Sequence, residues 1–253
     1  MKLHYQKAGE GDTLVIIHGL FGSADNWRSM AKYFSKTHQV ISVDLRNHGR
    51  SPHSQEQDFT LMAEDIHQLC SDLSLSRITL LGHSLGGKVA MQFAMLYPNL
   101  VDKLIIVDIA MRQYFSQHTP LMDAMMALDL RQYSSRNEAD EALSSAISDT
   151  AMRQFLLMNL IVEEGQLAWR INLHGLKINY PNLMASVCED VQITVPSLFI
   201  YGGLSDYVTE ADRVSLSETF SQAEFVCIEN ASHWVQAERP QEFKRVVEGF
   251  LQR

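Results

Sequence analysis

Six short apolar runs recur along the chain, at residues 14–17 (LVII), 40–43 (VISV), 78–81 (ITLL), 104–107 (LIIV), 197–200 (SLFI) and 225–228 (FVCI). None alternates polar with apolar residues in the manner of a half-wetted strand. A strand of this kind must be covered on both faces, as in a parallel sheet layered by helices. Helical patterns lie between many of the runs. Residues 59–73 carry apolar side chains near helical spacing, with Asp58 placed to cap the first turn. The pattern at 85–96 continues until Pro98 ends it, and a last helix begins near Pro240 with Phe243, Val246, Val247 and Phe250 on one face. This alternation predicts an α/β fold: a mostly parallel central sheet flanked by helices.

One stretch interrupts the series. Residues 111–187 show helical patterns and no convincing buried strand, and seven of the twelve methionines fall there. They predict either ordinary core filling or a helical cap whose methionines line an adaptable apolar pocket. The position between two strand runs favours the cap. The expected division is therefore a core of residues 1–110 and 188–253 with an inserted cap at 111–187.

Composition narrows the function. A net charge of −9 with no basic run offers nucleic acid no footprint and suits an anionic membrane poorly. Cys70, Cys188 and Cys227 are widely spaced and odd in number, which argues against a disulfide framework or a thiolate zinc site. No apolar run approaches the roughly 20 residues of a membrane span, and the first residues, MKLHYQKAG, lack the apolar core of a secretion signal. The expectation is a cytoplasmic enzyme, monomeric, with no metal or organic cofactor and a small molecule as its partner.

The chemistry centres on Gly82-His83-Ser84-Leu85-Gly86, a G-x-S-x-G sequence with a strand before it and a helix after it. The glycines permit a sharp strand-to-helix turn that holds the serine in a strained conformation at the end of the sheet. Ser84 is thus the candidate nucleophile. A serine hydroxyl needs a base, and His233, on the loop between the last apolar run and the last helix, is the candidate. His83 is expected to point away from the nucleophile's side. His4, His38, His53, His67, His118 and His174 show no ligand spacing and read as surface or satisfied core. The loop His18-Gly19-Leu20-Phe21-Gly22 follows the first run and can aim a main-chain N–H at a developing oxyanion. Leu20 is the expected donor, Phe21 the fallback, and the N–H of Leu85 the second donor.

The segments HGLFGS, DLRNHGRS (44–51), GHSLGG and Ser232-His233-Trp234 together resemble the α/β-hydrolase superfamily, and within it the bacterial YbfF-type esterases. The resemblance covers the core at both ends of the chain. It implies hydrolysis of acyl esters, with acyl-CoA thioesters a further substrate class, and a structural role for 44–51 in which Asn47 takes a left-handed position often held by Gly. The residues alone leave the acid open. In the turn Tyr201-Gly202-Gly203-Leu204-Ser205-Asp206, counting from Gly203 gives Asp206, while counting from Pro196 puts the acid slot on Ser205. Asp108, at the end of the fourth run, reads equally as a helix cap or a solvated strand end. The resemblance implies Asp108 as the carboxylate with Ser205 as an auxiliary hydrogen-bonding member, and leaves Asp206 as the alternative acid. Rival readings are C–C bond hydrolysis or perhydrolysis on the same fold, and a ligand-binding protein that retains the site.

Overall fold

The computed structural model describes residues 1–115 and 117–253. The chain opens with β1 (Tyr5–Ala8), β2 (Thr13–Ile17), α1 (Arg28–Phe34), β3 (Gln39–Val43), α2 (Phe59–Asp72), β4 (Ile78–His83), α3 (Leu85–Leu96) and β5 (Val101–Val107). It continues through α4 (Thr119–Ala127), α5 (Arg136–Leu143), α6 (Thr150–Leu157), β6 (Leu160–Glu163), β7 (Gln166–Trp169) and α7 (Leu173–Met184). It closes with β8 (Ser197–Gly202), α8 (Glu210–Thr219), β9 (Ala223–Ile228), α9 (Val235–Glu238) and α10 (Pro240–Leu251).

Seven strands form one sheet in the order β1-β3-β2-β4-β5-β8-β9. Each neighbouring pair is parallel except β1 and β3. All six apolar runs lie in this sheet. Successive residues of β2 serve opposite layers: Val15 and Ile17 pack with α2 and α3, while Leu14 and Ile16 pack with α1 and α10. The two-sided burial is why the runs carry no polar alternation. The run 225–228 departs from that expectation. It forms the edge strand β9, where only Ile228 is buried, because no further strand among the described residues pairs with its outer side. Helix α2 begins where Asp58 accepts the N–H of Leu61, a cap worth about 1 kcal/mol. In α10, Pro240 opens the first turn and Phe243, Val247 and Phe250 are buried.

Chain order places the site. From β2 the chain crosses outward to β3, then returns to the other side of β2 for β4. The crevice beyond the carboxyl ends of β2 and β4 is thus a topological switch point, where open α/β sheets bind ligands. The loops after β2, β4, β5, β8 and β9 all emerge at that edge.

The inserted stretch is not purely helical, contrary to expectation. β6 and β7 pair as an antiparallel hairpin through Glu164 and Gly165, both at positive φ (50° and 83°). That geometry belongs to a two-residue primed turn. The hairpin escaped the sequence pattern because its strands are short and largely solvent-facing. Buried residues of this stretch, among them Met122, Met125, Leu156, Leu176 and Leu183, join the same apolar cluster as the sheet and α3. Among the described residues, no helix is long and apolar enough to cross a membrane.

Helix α3 packs hard against the end of β2. A Cβ on Gly86 would lie 2.4 Å from the Ile17 carbonyl oxygen and 2.5 Å from that of His18. Neither backbone oxygen can withdraw without disturbing the sheet. Gly86→Ala is therefore expected to destabilise the protein by at least about 1–3 kcal/mol, read as a lower denaturant midpoint at unchanged slope. An unaltered midpoint would contradict this packing.

Candidate active site

The turn from β4 to α3 holds Ser84 at φ 52°, ψ −120°. This is a strained region for a residue with a Cβ, costing about 1–3 kcal/mol, and it persists only where its surroundings enforce it. Here the Ser84 N–H donates to the Val107 carbonyl at 3.0 Å, and the Ser84 carbonyl accepts from Gly87 at 2.8 Å and Lys88 at 3.2 Å. Gly82 makes the turn possible, because a Cβ there would sit 2.2 Å from the Gly86 carbonyl oxygen. Ser84 is consequently presented at the head of a helix, above the sheet edge.

At the end of β5, Asp108 also adopts positive φ (51°) and has no exposed surface. A buried carboxylate must be met by donors. Asp108 Oδ1 accepts from the Gly202 N–H at 3.0 Å, and Oδ2 accepts from the Ser205 hydroxyl and from His233 Nδ1 at 2.7 Å. The last bond fixes the His233 tautomer and leaves Nε2 with its lone pair. The ring of Tyr207 lies nearly parallel to that of His233, centroids 3.8 Å apart. Asp206 stands exposed on the same turn, while His233 Nδ1 meets Asp108. The structure therefore brings Ser205, Asp108 and His233 together and leaves Asp206 outside.

His83 serves the histidine loop rather than the nucleophile. Its Nε2–H donates to the His233 main-chain carbonyl at 2.9 Å, and the two rings are 4.8 Å apart. It ties the histidine loop to the serine turn. Strand alternation gave its direction relative to Ser84, but no sequence signal could give its long-range partner.

The loop after β2 closes the other side. His18 Nε2 accepts the Leu45 N–H, so Nδ1–H donates to the Gly19 carbonyl at 2.8 Å. A Cβ on Gly19 would stand 3.3 Å from Ser84 Cβ, so the loop rests directly on the serine. Leu20, Leu85 and Ser84 line one narrow cleft of about 30 Å³, and Phe21 is not among its lining residues. Phe21 instead takes positive φ (61°) and its carbonyl accepts from Asn159. In the segment 44–51, Asn47 has φ 65° and bridges to Gln57, Ser54 and Asn172.

The remaining cleft wall comes from the inserted stretch. Of its methionines Met184 lines the cleft, whereas Met122 and Met125 are packed in the core. His118 lines it too, with Nδ1 2.7 Å from the Tyr180 hydroxyl. So does Lys88 of α3. Sequence reasoning gave neither residue a role, since periodicity does not reveal which side chain of a helix or loop faces a cleft. Among the described residues, no group of three or more His, Cys, Asp and Glu side chains is arranged to hold a metal ion.

Comparison with known proteins agrees with this architecture. Residues 12–240 match the family described as alpha/beta hydrolase fold. The chain is 36% identical to the sn-1-specific diacylglycerol lipase ABHD11 of Danio rerio, over 96% of this chain and 80% of that protein. It is 33% identical to Esterase YbfF of Escherichia coli K12, over 97% of this chain and 95% of that one. A solved marine microorganism esterase superposes with a TM-score of 0.96 at 38% identity, covering 98% of this chain and 99% of the other.

Burial holds His48 and His83 neutral, pulling each down to about 3. In the unfolded chain both titrate near 6.5. Below pH 6.5 the unfolded state therefore binds protons that the native state refuses. Stability is complete above pH 6.5 and is lost as pH falls toward 3, by up to about 1.4 kcal/mol per pH unit for each histidine. Urea denaturation at pH 7 and pH 5 should show a clearly lower midpoint at pH 5, and His83→Gln should reduce that dependence. Equal midpoints would contradict the neutral burial.

Proposed function

Since the chain belongs to the α/β-hydrolase family, we propose that it is a serine esterase that cleaves carboxylic acyl esters through an acyl-enzyme on Ser84. The observation that carries this reading is the 2.7 Å bond from His233 Nδ1 to a carboxylate with no exposure, beside a serine held in a strained turn. The names of similar proteins, an esterase and a diacylglycerol lipase, support the reaction class. The inserted stretch 111–187 is read as the cap that selects the acyl group.

In this mechanism Ser84 Oγ attacks the ester carbonyl as His233 Nε2 takes its proton. Asp108 orients the imidazole and stabilises the imidazolium. The N–H groups of Leu20 and Leu85 receive the oxyanion, a contribution worth about 10²–10³ in rate per donor. Collapse of the tetrahedral intermediate expels the alcohol, which takes its proton from His233. Water, deprotonated by His233, then attacks the acyl-serine and releases the acid. Ser205 shares Asp108 Oδ2 with His233 and so holds the carboxylate in register. Nothing in these steps depends on oxygen rather than sulfur in the leaving group, so the proposal extends to acyl thioesters such as acyl-CoA.

A fluorophosphonate probe should label wild type at Ser84 and fail on Ser84→Ala and His233→Ala. A folded, unlabelled wild type that turns over no ester would favour a ligand-binding protein instead. The thioesterase extension requires turnover of acyl-CoAs whose nitrophenyl esters are cleaved, and fails if only the esters react.

The acid assignment has its own test. Asp108→Asn should lower kcat by up to about 10⁴, the scale for an orienting carboxylate. Asp206→Asn should stay within about threefold of wild type, as is usual for an exposed side chain away from the chemistry. The reverse ranking would transfer the acid role to Asp206.

A further inference from the structure

Lys88 is a buried amine with no carboxylate partner among the described residues. It is 2% exposed and yet lines the cleft that contains Ser84. Its Nζ donates to the Arg112 carbonyl at 2.6 Å and to the Ala185 carbonyl. These two carbonyls belong to the entry and exit segments of the inserted stretch, which are tied to each other by Tyr114 N–H to Met184 O and Val187 N–H to Met111 O. In its charged form the amine has three N–H groups, of which two have acceptors among the described residues and one does not. The nearby charge is also unfavourable: the Arg112 guanidinium repels Lys88, and Asp212 is already paired with Arg112. The adjacent Cys188 thiol is pushed up to about 12 by burial and stays neutral. Beyond the two carbonyls, the faces of Tyr114 and Phe59, with ring centroids 4.9 and 5.4 Å away, add attraction. Burial accordingly draws Lys88 down to about 7.

Buried charges are ordinarily paired, and a cation left one acceptor short inside a ligand cleft invites one from the ligand. Helix geometry places that acceptor. Lys88 lies in the first turn of α3, four residues after the capping Ser84 and about 6 Å further along the axis, and both residues line the same cleft. Helical side chains lean toward the N-terminus, here toward Ser84. Ile109, Leu183 and Met184 give the cleft an apolar share of its lining, beside the polar Gln117 and His118.

We propose that Lys88 is a specificity residue that hydrogen-bonds an acceptor oxygen carried on the acyl chain, several carbons from the ester carbonyl. The favoured substrates are then esters of hydroxy, keto or carboxy acids rather than of plain fatty acids. This rests on the esterase reading above.

The test compares nitrophenyl esters of four to eight acyl carbons, each as the plain alkanoate and as ω-hydroxy, oxo and ω-carboxy counterparts. Wild type should prefer at least one oxygenated series over its alkyl match by about tenfold or more in kcat/KM, the scale of one hydrogen bond to a charged group. Preference for the carboxy series identifies an anionic acceptor, and preference for the hydroxy or oxo series a neutral one. Lys88→Met should lose that ratio. Lys88→Gln, whose amide can still bond the two carbonyls, serves where the methionine variant does not fold. Equal turnover of alkyl and oxygenated esters by wild type, or a preference that survives in the variant, overturns the role of Lys88 while leaving the esterase reading intact. Failure of every ester together with no probe labelling of Ser84 would instead overturn the esterase reading itself.

Discussion

The carboxylate of Asp108 is the interaction on which the arrangement at the sheet edge depends. It sits at the end of a central strand with no exposed surface, where an unmet charge would cost several kcal/mol. Its donors come from two segments distant in sequence: the turn at Gly202 and Ser205, and the loop of His233. Meeting that charge therefore fixes the ends of β5, β8 and β9 relative to one another. The 97 and 125 residues that separate Ser205 and His233 from Asp108 matter little once the parallel sheet has aligned the strand ends.

The sheet also explains why the serine turn can be strained. β2 and β5 flank β4, so the turn is gripped between two strands already buried on both faces. The close approach of α3 to β2, permitted by Gly86, holds it from above. Tight packing on all sides is what allows an unfavourable φ to persist. Lys88 then links this helix to the segments by which the chain enters and leaves the inserted stretch, so the cleft wall is joined to the same helix that presents Ser84.

Much of the fold was legible because its signals are local. Unalternated apolar runs mean two-sided burial, and all six became strands of one sheet. Asp58, Pro98 and Pro240 mark helix ends because capping and proline sterics act within a few residues. What escaped was either weakly patterned or exposed. Strand β1 is half-exposed at the antiparallel edge, and the β6–β7 hairpin depends on two positive-φ residues, only one of which is glycine. The methionines of the insertion were legible as apolar but not as core or cleft, since a helical period gives a face and not its neighbour.

The sequence by itself determined the layered α/β class, the strained serine turn and the candidate base, because each rests on spacing within a few residues. The acid was different. Asp206 and Ser205 each fit a local register, with Asp206 narrowly ahead, and only a family resemblance pointed to Asp108. The tertiary structure decided which side chain His233 Nδ1 meets, since that contact joins residues 125 apart across the sheet edge. It also decided that His83 holds the His233 loop and that Lys88 faces the cleft. A residue's type and local period establish what it can do, whereas the partners it does it with are set by how the strands and helices pack.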